Sequence, residues 1–158
     1  MKQKAYPENM KNDKDSELKK EIVQALNKCK LAVLSTSDGA SPYASLIGFV
    51  NIDKDFSIIF ATPSSGRKYK NLKTIPKAAL LISEASGTDN NFYGASALTV
   101  TGKCEEIVNK EEIISDYIGK FPELESFARD AKTAFFRLKA ESFYLVKNFQ
   151  EVRELHIR

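Results

Sequence analysis

A short basic turn carries the residues best suited to chemistry in this sequence. The segment from Thr62 to Lys68 follows an apolar run and precedes a helical pattern. Its glycine lets a ligand approach the backbone closely, and its two cations stand where a helix begins with unpaired N–H groups. Phosphate groups are bound by such cations and N–H groups. We therefore predict an anion site at this turn, with its two hydroxyls, Gly66, Arg67 and Lys68 as the candidate groups.

A plainer interpretation fits the same residues. The basic side chains at this point could form only the solvated face of a surface helix: Arg67, Lys68, Lys70 and Lys73. The turn has neither the spacing of a P-loop nor the Gly-x-Gly-x-x-Gly of a dinucleotide site. The sequence leaves both interpretations open.

Strands must position this turn. Apolar runs at Leu31–Thr36, Tyr43–Val50 and Phe56–Phe60 are separated by turn residues and predict an antiparallel meander that ends at the turn. Further strands are predicted at Ala78–Ile82, Ala97–Val108, Ala134–Leu138 and Ser142–Val146. We expect the run Ala78–Ile82 to be buried on both faces because it is apolar throughout. About six strands at short spacing predict a mainly β fold, a small antiparallel β-barrel with flanking helices.

Other patterns predict local features. Residues 1–14 are polar and are expected to form a flexible arm, so that residues 15–158 form a single domain whose first helix begins at Asp15 or Ser16. Gly102 inside a strand indicates a bulge or the close approach of another backbone. Asn109 and Glu112 have the spacing of a capping box at the start of a later helix.

Composition narrows the class of protein. The 158 residues include 24 Lys and Arg against 21 Asp and Glu, scattered along the chain, which argues against nucleic-acid and membrane partners. Cys29, Cys104 and the single histidine suggest neither a disulfide framework nor a zinc site. No stretch resembles a signal peptide or a bilayer span, so we expect a cytoplasmic protein.

An ordered set of segments carries a family resemblance between about Leu31 and Phe149. These segments are Pro42–Phe49, Thr62–Leu72 with Pro76 behind it, Leu98–Cys104, Phe121-Pro122, Phe135–Leu138 and Leu145–Phe149. Together they resemble the FMN-binding split barrels related to pyridoxamine 5′-phosphate oxidase, in particular the branch that includes haem-utilisation proteins. The resemblance implies a six-stranded antiparallel split β-barrel that forms a homodimer, with FMN in each cleft between subunits.

The resemblance also assigns positions to the cofactor. It implies that the flavin phosphate lies against Ser65, Arg67 and Lys68, with Thr62 nearby, while Asn71 braces the turn. The backbone of the segment Ser45, Leu46, Ile47 and Gly48 would run beside the isoalloxazine edge, because main-chain N–H and C=O groups match its donors and acceptors. The Ser45 hydroxyl could instead face only a cross-strand neighbour.

Three functions remain open at this level. The resemblance favours an FMN-dependent oxidoreductase acting on an unidentified small molecule, and no acid–base pair for catalysis is visible because the flavin carries the chemistry. A haem-binding or haem-degrading protein on the same scaffold would need an axial ligand, for which His156 is the only imidazole. A flavin-binding dimer without turnover is the third. True pyridoxamine-phosphate oxidase activity is not expected, because the C-terminal aromatic and arginine residues that hold its substrate are not recognisable.

Overall fold

A six-stranded antiparallel barrel forms the centre of the protein. The computed structural model describes residues 8–52, 54–84 and 94–157. Its strands are β1 (Leu31–Ser37), β2 (Pro42–Ile52), β3 (Ser57–Pro63), β4 (Lys77–Ser83), β5 (Ser96–Glu106), β6 (Thr133–Lys147) and β7 (Glu151–His156). The strand order is β3-β2-β1-β4-β5-β6-β7, and an additional pairing of β3 with β6 closes the first six into a barrel. The predicted mainly β fold with flanking helices is confirmed.

Four α-helices flank the barrel in the described part of the chain. They are α1 (Glu8–Lys28), α2 (Arg67–Thr74), α3 (Glu111–Lys120) and α4 (Glu125–Arg129), with a 3-10 turn at Pro122–Leu124 before α4. None of these helices combines the length and the apolar character needed to cross a bilayer.

Two apolar clusters lie on opposite sides of the barrel wall. Alternate strand residues such as Leu34, Phe60 and Leu138 point inward, where they pack with the apolar stripe of α1. The residues between them on β3 and β6, such as Ile59 and Phe135, point outward and are covered by α3 and α4. The helices therefore cover one part of the outer surface, whereas no described helix covers the outer face of β1, β4 and the first half of β2.

Gly102 has the role that its position predicts. The register of β5 against β6 shifts between Thr101 and Gly102. A Cβ atom at Gly102 would lie 2.1 Å from the carbonyl oxygen of Lys139, which no side chain could tolerate. Both the predicted bulge and the predicted close backbone approach are confirmed.

Several sequence-based expectations about the elements are wrong. Helix α1 begins at Glu8, earlier than Asp15 or Ser16, and residues 1–7 of the predicted arm lie outside the described residues. The two strands predicted within 134–146 form one continuous strand, because β6 changes partner from β3 to β7 along its length. Strand β7 was not predicted.

The expectations for β4 and α3 also need correction. Strand β4 alternates between buried and exposed residues, and Leu81 is 45% exposed, because no described element covers its outer face. Helix α3 begins at Glu111, one residue later than a capping box would require. The amide of Asn109 donates to the Glu112 carboxylate at 3.3 Å instead of Asn109 capping the backbone.

A carboxylate on α1 holds that helix against the end of the sheet. Glu21 accepts two hydrogen bonds from the Arg153 guanidinium, at 2.7 and 2.6 Å, and one from the Lys147 ammonium at 2.6 Å. The bonds from Arg153, and then that from Lys147, lower the pKa of Glu21 from 4.5 to about 2. Ionised Glu21 therefore stabilises the fold at neutral pH.

We predict that Glu21→Gln lowers the free energy of unfolding at pH 7 by about 1–2 kcal/mol, since it removes charge-assisted hydrogen bonds at a partly exposed site. The folded pKa is depressed, so the stabilisation is complete above the unfolded pKa and is lost as the pH falls toward 2. Urea unfolding at pH 7 and pH 3 measures this: the deficit of the variant should be smaller at pH 3. Glu17→Gln, on an exposed position of the same helix, is the control, and an equal deficit in both variants would contradict the prediction.

Candidate functional site

Strands β2 and β3 separate partway along their length. Residues Pro42–Gly48 of β2 pair with β1, whereas β2 pairs with β3 only from Phe49, which lies opposite Phe60. Strand β3 continues to Pro63 along its other neighbour, β6. In the described part of the chain, the edge of Pro42–Gly48 that faces β3 therefore has no strand partner. This gap between β2 and β3 is called the split below.

The basic turn lies at the mouth of the split. The turn leaves β3 at Pro63, and the N–H of Ser64 donates to the carbonyl of Lys132 at 2.8 Å, which ties the turn to the start of β6. Continuing the register of β2 and β3 beyond their last pair would set Tyr43 opposite Gly66. The turn and the unpaired edge of β2 are therefore neighbours across one gap.

Helix α2 begins in this turn without a side-chain cap. Gly66 occupies the N-cap position with an extended backbone, and its N–H donates to the Pro63 carbonyl at 3.0 Å. The first intrahelical bond is that from the Lys70 N–H to the Gly66 carbonyl. The N–H groups of the first helical residues have no acceptor within the helix, which is the usual state of a helix start and suits an anion.

The two cations of the turn differ from those further along α2. Neither Arg67 nor Lys68 makes a hydrogen bond or ion pair with another described residue, whereas Lys73 pairs with Glu106 at 2.9 Å. Lys68 is half-buried, and this burial lowers its pKa from 10.5. A bound anion would favour the charged form of Lys68 and offset that cost. The interpretation as a solvated face thus fits the exposed Lys70 better than the half-buried Lys68.

Polar contacts fix α2 against the barrel. Asn71 is buried and donates its amide N–H to the Thr36 hydroxyl of β1 at 3.0 Å. The Tyr69 hydroxyl lies 3.2 Å from the carboxylate of Glu106, which also receives the Lys73 ammonium. Asn71 therefore ties α2 to β1, which agrees with the bracing role that the family resemblance implies for it.

The segment of β2 that the resemblance places beside the flavin, residues 45–48, points its side chains alternately to the two faces of the barrel wall. Ile47 is buried inside, whereas Leu46 points outward and is 64% exposed. Gly48 also points outward, and the Phe121 ring packs so closely there that a Cβ atom would lie 2.8 Å from it. Ser45 shares the inner face with Ile47.

Two buried hydroxyls flank the split without a partner. The Oγ of Ser45 and the Oγ1 of Thr62 are buried and make no hydrogen bond with any described residue. Thr62 is wholly buried near the end of β3, and its Oγ1 lies 3.7 Å from the position of a Cβ on Gly66. A buried hydroxyl without a partner is costly, so these atoms fit a site whose ligand supplies one.

His156 lies on another part of the sheet. Its Nδ1 is 2.8 Å from the Ser142 hydroxyl, and its Nε2 is 3.3 Å from a Glu154 carboxylate oxygen. Ser142 is the register partner of His156 on β6, and about 30 Å of strand separates it from Thr133, which pairs with the start of the turn. Both ring nitrogens have neighbours, and neither lies beside the split.

Sequence reasoning missed the residues that hold the turn from the other strands. Tyr43, Thr36 and Glu106 contact α2 although they come from three different strands. No local pattern marks them. Only the register between β2 and β3 would have indicated that Tyr43 lies near the turn.

Comparison with known proteins places these features in a family. The family model described as pyridoxamine 5′-phosphate oxidase matches residues 18–147. A search of curated proteins found no match.

Solved structures share the fold at low sequence identity. A haem-binding protein from Mycobacterium smegmatis superposes with a TM-score of 0.74 at 13% identity, over 96% of this chain and 59% of that one. HutZ, a haem storage protein from Vibrio cholerae, superposes with a TM-score of 0.67 at 16% identity, over 87% of this chain and 92% of that one. General Stress Protein 26 from Bacillus anthracis superposes with a TM-score of 0.71 at 15% identity, over 89% of this chain and 98% of that one. The chain thus spans only about three fifths of the mycobacterial protein.

We predict that Asn71→Ala lowers the free energy of unfolding by about 1–3 kcal/mol, because it leaves the buried Thr36 hydroxyl without its donor. Thr74→Ala, which removes an exposed hydroxyl bond to the Lys70 carbonyl on the same helix, should change it by about 0.5 kcal/mol or less. Urea unfolding of the two variants gives the comparison. Equal losses would show that Asn71 does not brace the helix.

Proposed function

The chain belongs to the pyridoxamine 5′-phosphate oxidase family, and from this premise we propose that it binds FMN as a homodimer and acts as an FMN-dependent oxidoreductase on a small molecule. The observation that carries the proposal is the position of the split. Its β2 edge, which has no strand partner among the described residues, opens onto a turn whose helix start has no side-chain cap there and whose two cations pair with no described carboxylate. One ligand that joins a hydrogen-bonding ring to a phosphate would satisfy both.

Different parts of FMN would meet different residues. The phosphate would accept hydrogen bonds from the turn, through the Ser65 hydroxyl, the backbone around Gly66, and the side chains of Arg67 and Lys68. The backbone of residues 45–48 would bond the edge of the flavin ring, which needs donors and acceptors in alternation. Bound FMN supplies hydride or electron transfer, and the protein supplies binding and orientation.

An open apolar surface supports the homodimer. Leu46 of β2, Val33 of β1 and Leu81 of β4 lie side by side in the register of the sheet. Leu46 is 64% and Leu81 45% exposed, and Leu31 at the end of β1 is 52% exposed. Exposed apolar patches of this kind mark interfaces. A second copy seated here would lie beside the β2 edge and would make the split a cleft between subunits.

Haem binding is the second candidate, because two of the similar structures are described as haem-binding and haem storage proteins. Those names suggest the same scaffold can hold haem. In this chain the single histidine is engaged with Ser142 of β6 and Glu154 of β7. The basic turn with its helix start suits a phosphate group, which FMN carries and haem lacks. FMN is therefore the cofactor that this site supports best.

We predict that Arg67→Ala and Lys68→Ala each weaken FMN binding by about tenfold or more, corresponding to about 1.5–3 kcal/mol for a charge-assisted hydrogen bond. Lys70→Ala is the matched control, because it removes the same charge from an exposed position of α2 beyond the turn. Fluorescence titration with FMN measures all three. Equal affinities in wild type and the turn variants would place the phosphate elsewhere.

The same preparations distinguish the alternatives. The visible spectrum of the purified protein shows whether flavin or haem is bound, and reduction of the bound flavin by a nicotinamide separates an oxidoreductase from a dimer that only binds flavin. Stoichiometric haem binding that is lost in His156→Ala, together with failure to retain FMN, would replace the proposal by the haem alternative.

We predict that Leu81→Asp converts the dimer to monomer at micromolar concentration, because it places a charge in the apolar surface. FMN affinity should fall with it, since half of the cleft is lost. Val108→Asp, at a fully exposed loop position, is the control. Sedimentation velocity decides: a wild-type monomer that retains flavin would contradict a cleft built from two chains.

A further inference from the structure

The guanidinium group of Arg67 lies over the ring of Tyr43. Its Cζ atom is 5.1 Å from the ring centroid, within the range of a cation–π contact. Arg67 is exposed at the start of α2, and Tyr43 is half-buried near the start of β2. Among the described residues this ring is the only direct partner of the Arg67 side chain.

The contact belongs to a two-point attachment of the helix. Arg67 and Asn71 are four residues apart on α2 and therefore lie on one face of it. Their partners, Tyr43 and Thr36, are directly opposite each other in the register of β1 and β2. The second attachment is the buried hydrogen bond from Asn71 to Thr36, so α2 cannot turn about its axis without losing that bond. The geometry thus brings the first residue of α2 over the Tyr43 ring.

A ring contact suits a residue that must bind an anion. Arginine has a long flexible side chain, and ordering it costs conformational entropy. A salt bridge would order it too, but would use N–H donors and neutralise the charge. Contact with an aromatic face uses none of the five N–H donors, which remain available for a phosphate.

Asp38 is a carboxylate within electrostatic reach of Arg67. It accepts hydrogen bonds from the N–H groups of Ala40 and Ser41 at 2.9 and 2.8 Å, which hold it within its own turn. Among the described residues no hydrogen bond or ion pair joins Asp38 to Arg67, whose guanidinium lies over the Tyr43 ring instead.

We propose that Tyr43 is a positioning residue of the phosphate site: its ring orders the Arg67 guanidinium so that the N–H donors face an anion at the turn. The inference rests on the proposed FMN site and names a residue outside it. Tyr43 acts through Arg67 and does not itself contact the phosphate.

The test is a double-mutant cycle read by FMN titration. Tyr43→Leu should weaken FMN binding by about two- to fivefold, the scale of an exposed cation–π contact. Tyr43→Phe, which keeps the ring, should bind as wild type does. In an Arg67→Ala background, Tyr43→Leu should cause no further loss, because the group that it positions is absent.

Two further measurements keep the outcome decisive. Riboflavin lacks the phosphate, so its affinity should be the same in wild type and Tyr43→Leu. If riboflavin loses as much affinity as FMN does, Tyr43 contacts the flavin ring or maintains the fold, and the inference is wrong. Tyr43→Met provides a second ring deletion if Tyr43→Leu fails to fold. If a variant without the Tyr43 ring binds FMN as tightly as wild type does, this inference is wrong, whereas the proposed FMN site still stands. Failure of the wild type to bind FMN removes the proposed function, and this inference with it.

Discussion

The separation of β2 from β3 is the constraint on which the rest of the structure depends. Strand β3 must stay paired with β6 as far as Pro63, since that pairing closes the barrel. Strand β2 stays paired with β1 throughout Pro42–Gly48. Beyond Phe49 and Phe60 the two strands part, and in the described part of the chain each follows only its other neighbour. Backbone groups left without a strand partner are stable only where solvent or a ligand reaches them, so this edge of β2 lies open to one or the other.

Helix α2 is held firmly to the barrel, whereas some polar groups of the same turn make no hydrogen bond or ion pair with any described residue. Asn71 and Glu106 fix α2 to β1 and β5, so the basic turn does not have to be ordered when an anion arrives. The turn also keeps features that lower stability, including a half-buried ammonium at Lys68 and the unpaired hydroxyl of Thr62. Such features are common where a binding site takes precedence over stability.

The outer surface divides into a covered part and an open part. Helices α3 and α4 bury the outward side of β3 and β6, and Phe121 extends that cover to Gly48. The cover stops there, and the next outward side chain on β2, Leu46, is exposed. The boundary of the helical cover thus coincides with the split, which is why an apolar surface and a polar backbone edge lie side by side.

The sequence by itself determined most of the strands and the residue types of the turn. Apolar runs between turn residues located the first five strands, Gly102 indicated its bulge, and the cations beside Gly66 indicated an anion site, because all of these depend on residues close together in the chain. The tertiary structure alone decided which of the cations pair with no described carboxylate, where Tyr43 and Thr36 meet α2, and that β6 continues as one strand with β7 beside it. The prediction that β4 is buried on both faces was wrong because it too depended on distant contacts. Strand register and the extent of helical cover arise from contacts between distant residues, which no local pattern encodes.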